Sequence, residues 1–395
     1  MRILQAHNHH AAKGGAMEVL AHERELLLDA GHQVEQYTLP AAEDLGLTGL
    51  RAGAKAVWNR EAARDVGALV RSFRADVLHV HTPFPLMSPS VFRAAHAAGV
   101  PAVTTLHSYR YSCVVGTCVR DGHICEDCVG KKLKLPGVVH KCYHDSRGAS
   151  AALTLGLDVH RAVGTFHRAV TRYLTLTEFS RKLMIRDGYP AERILVKPNS
   201  VPDPGYRAEP TSDERRVVFA GRLIDLKGVS TLLDAWQRTP TGMTLVIAGD
   251  GELRPLVEER AAADPSIRFV GWVQEQEVTD LMASAELVVV PSQWYEGAPL
   301  VILRSLGVGT PVLVSDLENL STEVLEDEVG WTFTTGDSTD LADKLTGFVA
   351  DPARARDIRA RARASYDRRY SPKEDIGRLE SVYAEVVAEA VAERR

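Results

Sequence analysis

Short, almost unbroken apolar runs recur along the chain, each followed by a polar turn and a stretch of helical length. Residues 2–6 form the first predicted strand, a polar loop runs from His7 to Gly15, and a helix is predicted near 16–30. Gly31-His32 then turns the chain into a second strand, Val34 to Leu39. A strand–loop–helix–strand unit of this kind predicts a parallel sheet. Residues 76–81, 100–106 and 173–176 read as further strands of the same half.

Proline and glycine cluster in Val196-Lys197-Pro198-Asn199-Ser200-Val201-Pro202-Asp203-Pro204-Gly205, which reads as an interdomain linker. The alternation then restarts, with strands at 216–221, 244–249, 267–270, 287–290 and 311–314 and helices at 229–238 and 252–262. Helices near 352–368 and 372–394 close the chain. A chain of 395 residues exceeds one ordinary core. The expectation is a first α/β domain over 1–200, carrying a cysteine-rich insertion at 108–147, and a second over 201–371, with a closing helix over 372–395. Both are expected to be doubly wound. Such sheets bind ligands outside the carboxyl ends of their strands, so the active site is expected in a cleft between the two domains.

Composition narrows the function. Apolar residues make up 45% and charged residues 25%, an ordinary globular balance that argues against disordered, collagen-like and coiled-coil chains. No run approaches the roughly 18 apolar residues of a membrane helix, which argues against an integral membrane protein. The start, Met1 to His7, has one positive charge and no apolar stretch of a secretory signal, so cytoplasm is the expected compartment. The net charge of -5 is unevenly spread: residues 1–200 carry 25 Lys+Arg and 18 Asp+Glu, the remainder 22 and 34. An acidic chain argues against nucleic-acid binding. The basic first half could meet an anionic acceptor or a membrane surface, or be only a solvated face.

Three segments carry candidate chemistry. Gly221-Arg222-Leu223-Ile224-Asp225-Leu226-Lys227-Gly228 lies between a strand and a helix. Arg222 can hold two oxygens in a fork, Lys227 acts as a point charge, and the following helix N-terminus adds a partial positive field, a set that suits a diphosphate. A surface turn with two solvated cations is the plainer alternative. Lys13-Gly14-Gly15 follows the first strand, where glycines let backbone N–H groups approach a phosphate; tight turns use the same residues. Trp294-Tyr295-Glu296-Gly297-Ala298-Pro299-Leu300 follows strand 287–290. Glu296 there can accept sugar hydroxyl hydrogens while nearby amides hold phosphate, or it can simply cap a helix.

Taken in order, Gly14-Gly15, Gly221-Arg222…Lys227-Gly228, Ala248-Gly249-Asp250-Gly251 and Glu296 to Leu300 resemble the retaining glycosyltransferases of family 4, with a linker motif at Val196–Val201. The resemblance covers almost the whole chain. It implies the GT-B fold, two Rossmann-like domains facing across a cleft, and transfer of a sugar from a GDP- or UDP-linked donor to a glycan, lipid-linked or small natural-product acceptor. It also implies that Arg222 and Lys227 clamp the donor diphosphate, that the Gly15 backbone adds a donor, and that His107 lies near the donor sugar. Glu296 would bind sugar hydroxyls, surrounded by the amides of Gly297, Ala298, Pro299 and Leu300, while Gly249 and Gly251 admit the nucleobase. Attack would be front-face with retention, the leaving phosphate helping to take the acceptor proton, without a catalytic metal. One position departs from the family: Arg304 stands where a second glutamate binds ribose, and arginine cannot accept a hydrogen bond. It is expected to pair with Glu296 or Glu323, or to touch a phosphate.

All five cysteines, Cys113, Cys118, Cys125, Cys128 and Cys142, fall within the insertion. A reducing cytosol disfavours disulfides, so a structural zinc on Cys113, Cys125, Cys128 and Cys142 is the sharper reading; Cys118, His123, His140 and His144 are rival ligands, and disulfides or free thiols the alternative. High Ala and Arg usage fits a bacterial biosynthetic enzyme. Two other classes stay open, a GT-B nucleotide-sugar epimerase or hydrolase and a non-catalytic, zinc-bearing nucleotide-sugar-binding protein.

Overall fold

The computed structural model describes residues 1–9, 15–41, 44–47, 49–239 and 242–393, without the side chains of 352–355. The chain divides into two compact units. One comprises Met1–Arg120, Cys125–Asn199 and Asp375–Arg395; the other comprises Ser200–Glu374 with the short piece Asp121–Ile124.

The first unit runs β1 (Arg2–Asn8), α1 (Gly15–Asp29), β2 (Gln33–Leu39), α2 (Gly49–Val57), α3 (Arg60–Ser72), β3 (Val77–Thr82), α4 (Ser90–Ala97) and β4 (Ala102–Leu106). Residues 107–146 follow, holding the hairpin β5 (Val119–Arg120) and β6 (His123–Ile124) and the short α5 (Leu135–Val139). The unit then continues through α6 (Arg147–Ala162), β7 (Arg172–Thr175), α7 (Glu178–Arg186) and β8 (Ile194–Val196). The sheet order is β2-β1-β3-β4-β7-β8, every pair parallel.

Alternate strand residues feed two hydrophobic layers, which is why the strands read as unbroken apolar runs. Leu4, Ala6, Leu78 and Val80 join one core with Val66, Phe92 and Tyr173. Ile3, Val77, Val103 and Leu174 face the other way, against Leu379, Tyr383 and Val386 of the last helix (Pro372–Ala392). In the hairpin, Asp121 and Gly122 both have positive φ, 52° and 77°, as a two-residue type I′ turn demands. The segment is tied down by Asp187, whose buried carboxylate holds Lys134 Nζ, Arg161 Nη2 and the Gly130 amide. The proline-rich stretch is anchored as well: Lys197 is buried within the first unit, and Val201 accepts a hydrogen bond from Tyr366 within the second.

The second unit runs β9 (Arg216–Ala220), α8 (Val229–Trp236), β10 (Thr244–Ala248), α9 (Arg254–Ala263), β11 (Ile267–Gly271), α10 (Glu275–Ser284) and β12 (Leu287–Val290). It continues through α11 (Leu300–Val308), β13 (Val312–Ser315), α12 (Glu318–Glu326), β14 (Gly330–Phe333), α13 (Ser338–Ala350) and α14 (Pro352–Arg369); α15 is the last helix, Pro372–Ala392. The parallel sheet has the order β11-β10-β9-β12-β13-β14. Val217, Phe219, Leu245 and Ile247 fill one layer, and Val218, Val246, Val288 and Val290 the other. The order reverses between β9 and β12 here, and between β1 and β3 in the first unit. Those reversals are where doubly wound sheets bind ligands.

Candidate active site

In the second unit the loops leaving β9 and β12 are locked together at the switch point. The Gln293 amide donates to the Leu226 carbonyl at 2.8 Å. Gly228 starts α8 with φ of 72°, and a Cβ there would stand 1.9 Å from the Pro291 carbonyl oxygen. Any other residue would force these loops apart.

This contact brings Lys227 to Glu296. Lys227 Nζ lies 2.6 Å from Glu296 Oε1, which also accepts from Ser292 Oγ at 2.7 Å and Trp294 Nε1 at 2.8 Å. Burial pushes the Glu296 carboxyl up, but the Lys227 charge and these donors outweigh it and hold it below the usual carboxylate range. Asn319 Nδ2 fixes the Glu296 carbonyl at 2.8 Å. The Arg222 guanidinium and the Lys227 ammonium each lie 5.9 Å from the centre of the Trp294 ring. Arg222, Lys227 and Glu296 therefore gather around one indole, two cations and an anion. Glu296 does not cap α11; Pro299 stands at the cap with no side-chain hydrogen bond, and Gly297, Ala298 and Leu300 lead into the helix start.

Gly249 and Gly251 have a structural reason of their own. Their φ values are 144° and 155°, and a Cβ would meet the Gly221 carbonyl oxygen at 1.8 Å or that of Leu223 at 2.5 Å. The loop after β10 thus supports the Arg222 loop directly, with Leu223 donating to the Asp250 carbonyl at 2.9 Å. Arg304 is buried on α11 and pairs with Glu275 Oε1 of α10 at 2.6 Å, a partner the sequence reading had not considered.

In the first unit, His107 follows β4 and is half-buried, its Nε2 3.0 Å from His81 Nδ1. Burial pushes the His107 imidazole well below its ordinary value. His81 Nε2 lies 3.0 Å from Glu23 Oε1 on α1. Gly15 is the first residue of α1; Gly14 and Lys13 lie outside the described residues. Glu23, His79 and His81 are the only trio of side chains, among the described residues, that brings three ligand atoms within 4.8 Å of one another. Lys197 Nζ sits 3.4 Å from Glu23 Oε2 and 2.7 Å from Asp375 Oδ1. An ammonium beside the carboxylate makes this a buried charge network rather than a cation site.

Cys113, Cys125, Cys128 and Cys142 line a single pocket with Val114, Pro136 and Gly137. No three of their sulfurs, among the described residues, lie within 4.8 Å of one another. Four thiolates on one zinc at about 2.3 Å would sit closer than that. Cys118 donates its thiol to the Cys113 sulfur, which brings the Cys113 thiol down to about 6.

Sequence reasoning named Arg222, Lys227, Glu296 and His107 but missed their partners. Ser292 and Trp294 lie within four residues of Glu296, so proximity was the available signal. Glu23, His81, Lys197 and Asp375 come from distant parts of the chain, and no local pattern marks them.

Residues 14–200 match the family described as Glycosyl transferase 4-like domain, and residues 214–351 the one described as Glycosyl transferases group 1. A glycogen synthase of Mycobacterium tuberculosis is 26% identical over 311 residues, covering 75% of this chain and 66% of that protein. The chain thus spans just under two thirds of that relative. A phosphatidyl-myo-inositol mannosyltransferase of Mycobacterium leprae is 29% identical over 252 residues, 57% of this chain and 67% of that protein. Among solved structures, Anabaena Alr3699/HepE in complex with UDP superposes with a TM-score of 0.68 at 18% identity, covering 98% of this chain and 100% of that one. That likeness shows a shared fold. With two parallel-sheet α/β units matched in succession by glycosyltransferase domains, the chain has the GT-B fold and belongs to the glycosyltransferases.

Proposed function

We propose that the protein transfers a sugar from a nucleotide-diphosphate donor to a hydroxyl acceptor with retention of anomeric configuration. The observation that carries this reading is the gathering of Arg222, Lys227 and Glu296 around Trp294 at the switch point of the second sheet. Cleaving the glycosidic bond puts negative charge on the leaving diphosphate, and two fixed cations stabilise that charge as it develops. Arg222 binds phosphate oxygens in a fork, and Lys227 bridges between phosphate and Glu296. The Glu296 carboxylate, kept ionised by Lys227, accepts hydrogens from sugar hydroxyls while the backbone N–H groups of Gly297, Ala298 and Leu300 face the phosphate. Gly15 and His107 are assigned to the donor as well. The relative solved with UDP favours a uridine nucleotide; the glycan and lipid-linked acceptors of the other relatives define the acceptor classes to test. The pairing of buried Arg304 with Glu275 supports a ribose contact made by other groups than an acid at position 304.

We also assign a structural zinc to Cys113, Cys125, Cys128 and Cys142, because these four thiols border one pocket. Binding would draw their sulfurs together and brace a segment with few buried apolar residues of its own. The transfer reading is tested by incubating the protein with UDP- and GDP-sugars and an acceptor panel. Proton NMR of the product must show the anomeric configuration of the donor; an inverted product, or release of the sugar to water alone with every acceptor, overturns it.

A further inference from the structure

The charge network in the first unit ends on His107, and its chemistry dictates where the His107 proton sits. Glu23 is completely buried on α1, and every contact its carboxylate makes is to a possible donor. Oε1 lies 3.1 Å from Gln5 Nε2, 3.0 Å from His81 Nε2 and 3.1 Å from His79 Nδ1; Oε2 lies 3.4 Å from Lys197 Nζ. Burial raises the Glu23 carboxyl, but the Lys197 ammonium and the donors around it hold it well below its ordinary value, so it is ionised at neutral pH. An ionised carboxylate only accepts. His81 Nε2 must therefore carry a hydrogen. At about pH 8.5, where ordinary imidazoles are neutral, His81 then has a bare Nδ1, and this atom is 3.0 Å from His107 Nε2. Two neutral rings meeting there have only one way to bond: His107 donates from Nε2 and keeps a lone pair on Nδ1.

We propose that Glu23 acts through His81 as a positioning residue that fixes the tautomer of His107, leaving His107 Nδ1 as a hydrogen-bond acceptor for a hydroxyl of the sugar. The rings of His81 and His107 lie with centroids 5.3 Å apart and planes 16° from parallel, so His81 also sets the orientation of the His107 ring. Glu23 is itself held from the far side. Lys197, at the end of β8, spans Glu23 and Asp375, and Asp375 belongs to α15. The acceptor at the end of β4 is thus tied through four side chains to the last helix of the chain. The acceptor part of this inference rests on the proposed placement of His107 near the donor sugar; the tautomer part does not.

The substitution Glu23→Gln reverses the logic. Lys197 holds the new amide by its oxygen, which turns the NH2 group toward His81 Nε2. His81 must then accept at Nε2 and donate from Nδ1, and His107 must move its hydrogen to Nδ1. The experiment is a long-range proton–nitrogen NMR correlation on the full chain labelled with 15N-histidine at about pH 8.5, where ordinary imidazoles are neutral. His107→Ala assigns the His107 signals. The wild-type protein is expected to show His107 protonated at Nε2, and Glu23→Gln is expected to show it protonated at Nδ1. A wild-type His107 protonated at Nδ1 overturns the proposal, even if Glu23→Gln does not fold. So does a tautomer that is the same in wild type and a folded Glu23→Gln. With UDP-glucose as the donor probe, Glu23→Gln is expected to lower kcat/KM for UDP release by about tenfold or more, as misplaced catalytic groups do. It is expected to lower it no further in the His107→Ala background. A tautomer that inverts while His107→Ala retains full activity overturns the acceptor function of His107, and the placement it rests on, but supports the relay itself.

Discussion

Removing the Lys227 ammonium separates two jobs that this side chain does at once. Its Nζ is 2.6 Å from Glu296 Oε1, in a pair whose side chains are only 19% and 9% exposed. Losing one partner of a fully buried ion pair costs about 3–5 kcal/mol. Here Ser292 and Trp294 still donate to Glu296, and Lys227 is partly solvated, so Lys227→Ala should cost about 1–3 kcal/mol of folding stability at pH 7. The cost depends on pH in a definite direction. In the wild type the Glu296 carboxyl is held below its ordinary value, so its contribution is present above about pH 4.3 and is lost as pH falls through the depressed value. Without Lys227, burial raises that carboxyl, and its contribution is instead lost as pH rises. The stability difference between the two proteins should therefore be largest at neutral pH and shrink toward pH 4, which urea unfolding at the two pH values would measure. If Lys227 also stabilises the leaving diphosphate, Lys227→Ala lowers kcat/KM by roughly 30- to 1,000-fold, about 2–4 kcal/mol of barrier. Adding Glu296→Gln removes the orphaned charge, so the double variant should recover stability while remaining impaired in turnover. A stability difference that does not change with pH, or a double variant with wild-type kcat/KM, would refute the reasoning.

Among the described residues Arg222 makes no ion pair comparable to that of Lys227, so Arg222→Ala should lower kcat/KM by about 2–4 kcal/mol in barrier with little change in urea midpoint; activity within about twofold of wild type would remove it from the site. Asp187→Ala strips the anion from buried Lys134 and should destabilise the first unit by about 3–5 kcal/mol, read by denaturant unfolding, whereas a loss under about 1 kcal/mol would show that the segment is held by other contacts. Elemental analysis should find about one zinc per chain, lost together with several degrees of melting temperature in Cys125→Ser; metal-free protein with unchanged melting would reject the zinc assignment.

The sheets were legible because their central strands are buried on both faces, so runs such as Leu287 to Val290 carry no polar interruption to confuse the reading. The short edge strands β8 and β14 lacked that signal. Ile194–Val196 merges into the proline-rich stretch, and Gly330–Phe333 opens on a glycine that the Val312 carbonyl demands, its Cβ position lying 1.9 Å from that oxygen. Helix α3 carries a local signal: Asn59 caps it by accepting from Ala62, and Ala62, Val66 and Val70 mark its buried face at four-residue spacing. In the site, Lys227 and Glu296 were named separately from their own segments. Their direct contact depends on how the loop after β9 lies on the loop after β12, which no local pattern encodes. Gly249 and Gly251 show the opposite case, residues singled out for a ligand whose own backbone contacts already require glycine. Arg304 paired with Glu275 because α10 and α11 are neighbours, a relation that spacing along the chain does not reveal.

The central claim is that Arg222 and Lys227 grip a nucleotide diphosphate. Isothermal titration of the wild type and the Arg222→Ala/Lys227→Ala double variant with UDP, GDP, ADP and dTDP tests it most directly. One of these nucleotides is expected to bind the wild type at one site per chain, and the double variant to bind it at least about tenfold more weakly. Equal affinity in both proteins, or no binding of any of the four to the wild type, would contradict it.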